Sequence, residues 1–316
     1  MPNKPFKGLN PYSEGDAKRF FGRKTQIENI IDRLTTSRLT ILYGESGVGK
    51  TSVVRAGVAA QPRRQAQENL INYKVPVHGV VVFPPFDLSW KDEPLLQLKE
   101  QIKQDIREVA PNIKSPKSGL SFIKTLQAWT ELLGGEEGDG ELFIILDQFE
   151  EYFLYHRSSE PKEGTFAFEF PRAVTRSRLR VNFLLSMRKD SLAELDYFKG
   201  RLLNLLSNRL ELEHLDWDSA GEAIKQPIYQ YYNTDVSPEA PFAIEDEDRL
   251  VEKVLEEVSQ RNNHNGRIEA PYLQLMMKRL WQEEIKAGFH CLRLQTLTNL
   301  GGAKGIAKLH LKDRME

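Results

Sequence analysis

The first residues with evident chemistry are 44–51, whose sequence is GESGVGKT. The glycines of this segment allow the backbone to fold around a polyphosphate, so that its N–H groups point at the oxygens. In such a motif Lys50 supplies a positive charge for the β- and γ-phosphates, and Thr51 supplies a hydroxyl ligand for Mg²⁺. The segment therefore predicts a P-loop that binds a nucleotide with Mg²⁺. The residues expected to contact the nucleotide in this loop are Glu45, Ser46, Gly47, Val48, Gly49, Lys50, Thr51 and Ser52.

The segments on either side of the loop favour the same interpretation. Residues 39–43 form an apolar, β-rich run, and residues 50–60 have the pattern of a helix. The N-terminus of that helix favours an anion because its dipole and free N–H groups point toward it. A glycine-rich turn without a ligand is the alternative, and the complete motif between a strand and a helix argues against it.

A second chemical group follows the apolar run 142–146, which ends at Asp147. Ligands of open α/β sheets gather at the carboxyl ends of the strands. An aspartate in that position can hold the hydration shell of Mg²⁺ beside a P-loop. We therefore predict Thr51 and Asp147 as the metal-binding residues. An aspartate that caps the next helix is the alternative for Asp147.

Three side chains after Asp147 are candidates to orient or deprotonate the water that attacks the γ-phosphate: Gln148, Glu150 and Glu151. Many fast P-loop ATPases carry a glutamate directly after the aspartate, and Gln148 occupies that position here. We therefore predict Glu150 and Glu151 as catalytic candidates alongside Lys50 and Asp147. Ordinary solvated helix surface is the alternative for both glutamates.

Arg188 follows another apolar run, 181–187. A cation at the end of a strand can read the γ-phosphate, so we add Arg188 to the catalytic candidates. A salt bridge at a junction between strand and helix is the alternative.

Composition and charge argue against several other classes of function. The net charge is −1, so no global field draws the chain to nucleic acid or to a membrane, and neither is expected as a partner. Cys291 is the only cysteine, which excludes an intrachain disulfide and fits a reducing cytoplasm. No apolar run is long enough for a membrane span. The six histidines lack the spacing of metal ligands, so no zinc site is expected.

The elements that must position these groups follow from the apolar pattern. Strand-like runs alternate with helical patterns through the first two thirds of the chain, which predicts an α/β fold with a parallel sheet and flanking helices. The predicted strands are 39–43, 75–83, 142–146, 181–187 and, more weakly, 209–213. Residues 61–73 are polar, and we predict irregular structure there.

The pattern changes near residue 216, where helical apolar faces continue without comparable strands. We predict a lead-in at 1–22 that contributes to the nucleotide site, a P-loop domain at 23–215, and a smaller α-helical domain at 216–316. A polar connection is expected at 233–241, and a last short helix after 300–303.

Five motifs extend this interpretation to nearly the whole chain. They are FFGR at 20–23, KTSVVRAG at 50–57, LDQFEE at 146–151, SMRKD at 186–190 and APYLQL at 270–275. In this order they resemble the STAND class of signal-transduction NTPases within the AAA-like P-loop proteins, and in particular the novel STAND NTPases of bacterial multidomain proteins. The resemblance implies that the helical domain is a lid followed by the start of a winged-helix segment.

The resemblance also implies roles for residues that spacing alone does not identify. Gly22 and Arg23 would border the adenine and ribose, Pro271 would close over the base from the lid, and Arg188 would act as a first sensor. STAND proteins are described as switches in which ADP holds a closed monomer and ATP opens and oligomerises it. Effector and sensor domains would lie outside this chain, and some relatives act in bacterial defence against phage.

We therefore expect an ATP/ADP-binding regulatory NTPase with slow Mg²⁺-dependent hydrolysis that oligomerises on activation. The residues leave other classes open: a P-loop kinase acting on a small molecule, a DNA-dependent AAA-like ATPase, and a scaffold that has lost nucleotide binding. A kinase would need an acceptor pocket and an arginine-rich lid segment, and a DNA-dependent ATPase would show salt-sensitive DNA binding.

Overall fold

The computed structural model describes residues 4–83, 93–156, 161–202, 205–234, 243–260 and 267–315. The chain divides into two compact units. The unit that contains the sheet, here the sheet unit, comprises Thr25–Ser46 and Lys50–Leu212. The other, here the helical unit, comprises Met1–Lys24, Gly47–Gly49 and Glu213–Glu316. The polar connection expected at 233–241 falls outside the described residues from position 235 onward.

Five parallel strands form the sheet, in the order β2-β3-β4-β1-β5. They are β1 (Leu39–Gly44), β2 (His78–Phe83), β3 (Glu141–Leu146), β4 (Val181–Arg188) and β5 (Arg209–Glu211). In the register of the centre, Ile41 of β1 lies opposite Leu185 of β4, and Ile144 of β3 lies opposite Phe183. The α/β fold with a parallel sheet, predicted from the sequence, is confirmed, including the weak fifth strand.

Consecutive residues of the central strands are buried, as all of 142–146 are in β3, which requires cover on both faces. The helices that accompany the sheet are α1 (Lys24–Thr36), α2 (Lys50–Ser52), a π-helical stretch (Val53–Ala59), α3 (Ala60–Tyr73), α4 (Pro94–Val109), α5 (Phe122–Leu133), α6 (Glu150–His156), α7 (Phe166–Thr175) and a 3₁₀ helix (Lys189–Phe198). Aromatic rings from α6, α7 and the 3₁₀ helix pack together in the core with Phe149, which precedes α6 and stacks on Tyr152 with 5.4 Å between centroids. This packing fixes the segment that follows β3.

The prediction of irregular structure at 61–73 was wrong, because the helix that begins at Lys50 continues to Tyr73. Its polar composition hides the helix, since only Pro62 and Ala66 of α3 are buried. The π-helical stretch that precedes α3 has wider turns than an α-helix. It lies just before Pro62, which has no N–H to donate to the helix. Tyr73 is the last residue of the helix, and the next residue, Lys74, caps it in the left-handed conformation although it is not a glycine.

Polar contacts rather than apolar burial attach α3 to the outer strand β2. Arg63 donates to the carbonyl of Val80 at 3.0 Å and to Asp105 of α4 at 2.6 Å. Asp105 in turn accepts the N–H of Val82 at 3.0 Å. Two backbone groups of an edge strand are thus occupied by side chains, which blocks further strand pairing there.

Helices dominate the helical unit. They are α8 (Trp217–Thr234), α9 (Glu247–Gln260), α10 (Ala270–Lys286), α11 (Leu294–Asn299) and α12 (Gly302–Met315), with two short parallel strands, β6 (Ala243–Ile244) and β7 (Cys291–Leu292). The N-terminal segment packs within this unit: Phe6 is buried in its core, and the Tyr12 hydroxyl donates to Gln274 of α10 at 2.7 Å. Among the described residues, no helix is long and apolar enough to cross a membrane.

Candidate functional site

The P-loop leaves β1 at Gly44 and enters α2 at Lys50. Gly47 and Gly49 have φ angles of +83° and +95°, which side chains other than glycine rarely adopt. Apart from its chain neighbours, no described residue would lie within 4 Å of a Cβ on Gly49, so the loop backbone faces open space at this point. A phosphate chain fits such a backbone cradle, because N–H groups can approach the oxygens without steric conflict.

Lys50 lies against the same loop. Its Nζ donates to the carbonyls of Gly44 and Glu45 at 2.9 and 2.8 Å. Burial lowers the pKa of the Lys50 ammonium, and the nearby carboxylates of Glu150 and Asp147 act in the opposite direction. The ammonium is therefore held where the motif predicts a phosphate contact.

Asp147 is buried at the end of β3, beside β4. Ser186 of β4 donates its hydroxyl to the Asp147 carboxylate at 2.8 Å and is itself fully buried. This bond fixes the orientation of the carboxylate. Sequence reasoning did not assign Ser186 a role; the available signal was a hydroxyl inside the otherwise apolar run 183–187.

The turn after Asp147 has an unusual backbone. Gln148 is exposed and adopts φ +54°, a left-handed conformation that is uncommon outside glycine. The turn directs the ring of Phe149 into the core, and its N–H donates to the carbonyl of Ser186 at 2.9 Å. Glu150 then begins α6 and accepts the backbone N–H of Arg188 at 3.2 Å. The strained turn thus aims Glu150 back toward β4.

The two candidate glutamates are consequently in different surroundings. Burial raises the pKa of Glu150, while the N–H of Arg188 and the charge of Lys50 lower it. Glu150 is thus a carboxyl that interacts with both Lys50 and Asp147, as expected of a group that handles a water near the phosphate. The Glu150 carboxylate accepts the N–H of Arg188 and interacts with the charge of Lys50. The bond described for Glu151 is a backbone bond, from its N–H to the carbonyl of Gln148. The geometry favours Glu150.

Arg188 is the last residue of β4, and its side chain is exposed. Its guanidinium pairs with Asp190, with Nε donating at 3.0 Å, and this pairing raises the pKa of Arg188. The salt bridge weighed as the alternative is therefore present, and a sensor role for Arg188 stays a prediction. The neighbouring Lys189 pairs with Glu211 of β5 at 2.5 Å.

Within the helical unit, the Arg23 side chain donates hydrogen bonds to backbone carbonyls rather than to another side chain. Its guanidinium donates to the carbonyl of Val48 at 2.9 Å and to the carbonyl of Glu213 at 2.8 Å. Burial lowers the pKa of Arg23 to about 10, and Asp216 opposes this shift. Arg23 thus anchors the P-loop through Val48. That contact was absent from our sequence expectations, and a contact of Arg23 with adenine or ribose stays a prediction.

Gly22 and Pro271 also lie close to backbone of the helical unit. Gly22 has φ +80°, and a Cβ there would lie 2.2 Å from the carbonyl oxygen of Ser219 in α8. The ring of Pro271, at the start of α10, would lie 3.7 Å from a Cβ on Gly47. Pro271 is therefore beside the P-loop, and its predicted closure over the base is untested.

The oxygen donors of the site suit Mg²⁺ better than a metal ion whose ligands all come from the protein. Thr51 offers a hydroxyl and Asp147 a carboxylate, the ligand types that Mg²⁺ takes together with water and phosphate. Among the described residues, no group of three or more histidine, cysteine, aspartate or glutamate side chains could hold a metal ion. The site therefore fits a cation that arrives with a nucleotide.

Solved structures with the same fold include two archaeal proteins. The Aeropyrum pernix ORC2 protein in its ADPNP–ADP complexes is 16% identical with a TM-score of 0.57, over 90% of this chain and 67% of that one. The Walker-type ATPase PABY2304 of Pyrococcus abyssi is 17% identical with a TM-score of 0.54, over 97% of this chain and 78% of that one. A search of the curated proteins found no match.

The family comparison is more specific than the fold. A model of the family described as Novel STAND NTPase 1 matches residues 5–312. This range includes the P-loop, the turn after Asp147, β4 and the helices of the helical unit, so it takes in every motif that carried the resemblance seen in the sequence. The chain belongs to the Novel STAND NTPase 1 family.

Proposed function

We propose that this STAND-class P-loop NTPase is a nucleotide-dependent signalling switch that binds ATP and ADP and hydrolyses ATP slowly with Mg²⁺. The observation that carries the proposal is the convergence of Lys50, Asp147 and Glu150 after the ends of β1 and β3, with Lys50 bonded to backbone carbonyls of the P-loop. Family membership supports nucleotide binding and hydrolysis.

In the proposed chemistry, the N–H groups of residues 45–52 and the Lys50 ammonium bind the β- and γ-phosphates. Thr51 and Asp147 would hold Mg²⁺, which neutralises charge on the phosphate oxygens when bound. Ser186 keeps the Asp147 carboxylate in one orientation. Glu150 orients the attacking water and accepts its proton, a task favoured by a carboxyl whose pKa is raised by burial.

Slow turnover is expected because Gln148 occupies the position directly after Asp147, where an amide cannot accept a proton as a carboxylate does. Glu150 lies two residues further, beyond the left-handed turn. A long-lived ATP state suits a timer better than a metabolic enzyme.

The switch itself depends on different affinities for ATP and ADP, because a ligand shifts an equilibrium only by its differential binding. Arg188 at the end of β4 is the proposed reader of the γ-phosphate. Self-association and the effector and sensor partners would belong to the complete protein.

Amide hydrogen exchange tests the switch. The Glu150→Gln variant, which we expect to retain ATP without hydrolysing it, is compared with saturating Mg-ADP and with saturating Mg-ATP. Exchange within α8 to α12 should differ between the two nucleotides, while Lys50→Ala should give one pattern with either. Identical exchange in Glu150→Gln, with both nucleotides demonstrably bound, would reject the switch and leave only the NTPase.

A further inference from the structure

The helical unit contains a second concave surface, formed by the N-terminal segment, α10 and α12. It is a cavity of about 380 Å³, within the range of roughly 300–1,000 Å³ that is usual for small-molecule sites. None of the residues that line it is among those proposed to bind the nucleotide. The proposed nucleotide site therefore does not explain the residues of this cavity.

The cavity is lined with positive charge. Lys7, Lys278 and Arg279 line it, and none of the lining residues that the structure describes is acidic. Lys7 pairs with Asp16, and Arg279 pairs with Glu283 at 3.3 Å. Lys278 forms no ion pair with any residue that the structure describes, and its Nζ donates to the carbonyl of Lys7 at 3.2 Å. Within the described part of the chain the positive charge of the cavity thus exceeds the negative charge paired with it, which favours an anion there.

His310 of α12 also lines the cavity. Its Nε2 is buried and has no hydrogen-bond partner within the described part of the chain, but an atom without accessible surface does not face the cavity. His310 therefore contributes other atoms of its ring to the wall, and the charged groups of the cavity are those of the lysines and the arginine.

The remaining wall is mixed. Leu9, Leu275 and Ile306 supply apolar surface, and Asn10 and Gln282 supply amide groups. An inorganic anion would leave the apolar wall uncovered, whereas an organic anion would cover it. Several donors around one cavity suit a phosphate group, which has three acceptor oxygens and up to two charges.

We propose that this cavity binds a small organic phosphate. Its phosphate group contacts Lys278 and Arg279, and its apolar body packs on Leu275 and Ile306. The site would link the N-terminal segment to α10 and α12. This inference does not depend on the proposed nucleotide switch, since no residue is shared.

Calorimetric titration of phenyl phosphate and of inorganic phosphate into the full chain tests this site. The Lys50→Ala background is used without nucleotide, so that the P-loop does not capture the probe. In it, Lys278→Met removes the charge and keeps the aliphatic stem, and Lys286→Met makes the same change at an exposed position of α10 that does not line the cavity. Circular dichroism establishes that each variant is folded.

The expected result is saturable binding of phenyl phosphate that is tighter than that of inorganic phosphate. Lys278→Met should weaken it roughly 10- to 100-fold, the effect of one charged hydrogen bond, and Lys286→Met should not. Should Lys278→Met fail to fold, Arg279→Met, which removes the guanidinium and keeps an apolar side chain, must weaken binding instead. Absence of binding by both probes, or equal loss in Lys278→Met and Lys286→Met, would overturn the proposal.

Discussion

The candidate residues of the sheet unit differ in kind from those of the helical unit. In the sheet unit the chemical groups are side chains at strand ends: Lys50 after β1, Asp147 and Glu150 after β3, and Arg188 at the end of β4. In the helical unit Arg23 acts on backbone, because it donates to the carbonyl of Val48. The difference teaches that the sheet unit carries reactive groups, whereas the helical unit carries contacts that fix its own backbone.

This comparison predicts a separation of effects. Substitutions of Lys50, Glu150 and Arg188 should remove chemistry and leave the fold intact, because these side chains are partly or largely exposed. Substitutions in the helical unit should disturb packing or loop position before they disturb any reacting group. The following predictions, from the largest expected effect to the smallest, either break this separation or sharpen it.

The largest effect is expected for Glu150. Replacing it with Gln should lower the single-turnover rate of ATP hydrolysis by about 10²- to 10⁴-fold, the usual contribution of a general base. The melting temperature should not fall, because burial already disfavours the ionised carboxylate. Glu151→Gln, one residue along the same helix, is the matched control and should retain most of the rate. Equal losses in the two variants would remove Glu150 from its role.

Arg63 is an exception to this separation, because it is a polar residue of the sheet unit whose contacts stabilise the fold. Arg63→Ala should destabilise the protein by roughly 3–5 kcal/mol, since it leaves the Asp105 carboxylate buried without its cation. Arg64→Ala removes an exposed ion pair with Glu68 and should cost at most about 1 kcal/mol. Urea unfolding of both variants measures the difference, and similar midpoints would contradict the proposed edge contact.

A substitution at Gly22 tests how closely the backbone packs within the helical unit. Gly22→Ala forces a Cβ against the carbonyl of Ser219 in addition to a left-handed φ, so we expect a loss of roughly 2–5 kcal/mol. Gly119 has nearly the same φ, +79°, but open space around a Cβ, and Gly119→Ala should lose only about 1–2 kcal/mol. Thermal unfolding of the pair isolates the steric term. A Gly22→Ala protein as stable as Gly119→Ala would show that the close approach is not tight.

The smallest effect concerns pH. Burial raises the pKa of Glu150 above the ordinary value of roughly 4.3, so the ionised base is lost on acidification at a higher pH than for an exposed glutamate. Single-turnover rates of the wild-type chain should therefore decline as the pH falls through that raised pKa. In Glu150→Gln the residual rate should lack this acidic limb, and its persistence there would assign the titration to another group.

The sheet was predictable because its strands are buried on both faces and therefore appear as apolar runs, as in β3 and β4. The P-loop, Asp147 and Arg188 followed from the positions at which those runs end. Helix α3 was missed because Arg63 attaches it through polar contacts, which leave no apolar periodicity.

Long-range contacts were also outside the reach of the sequence. The bond from Ser186 to Asp147 and the contacts of Arg23 join residues far apart in the chain, and no spacing rule connects them. Phe6, in a segment predicted as a lead-in that contributes to the nucleotide site, is buried in the core of the helical unit, and this contact too was not predicted. The preference for Glu150 over Glu151 required the left-handed turn at Gln148.

The central claim is that this chain is built to hold a nucleotide at the P-loop, and the nucleotide that copurifies with it tests that claim most directly. The chain and its Lys50→Ala variant are purified without added nucleotide and denatured, and the released molecules are identified by chromatography and mass spectrometry. We predict stoichiometric ADP from the wild-type chain and none from Lys50→Ala. A wild-type chain that releases no nucleotide and binds neither Mg-ADP nor Mg-ATP would contradict the account.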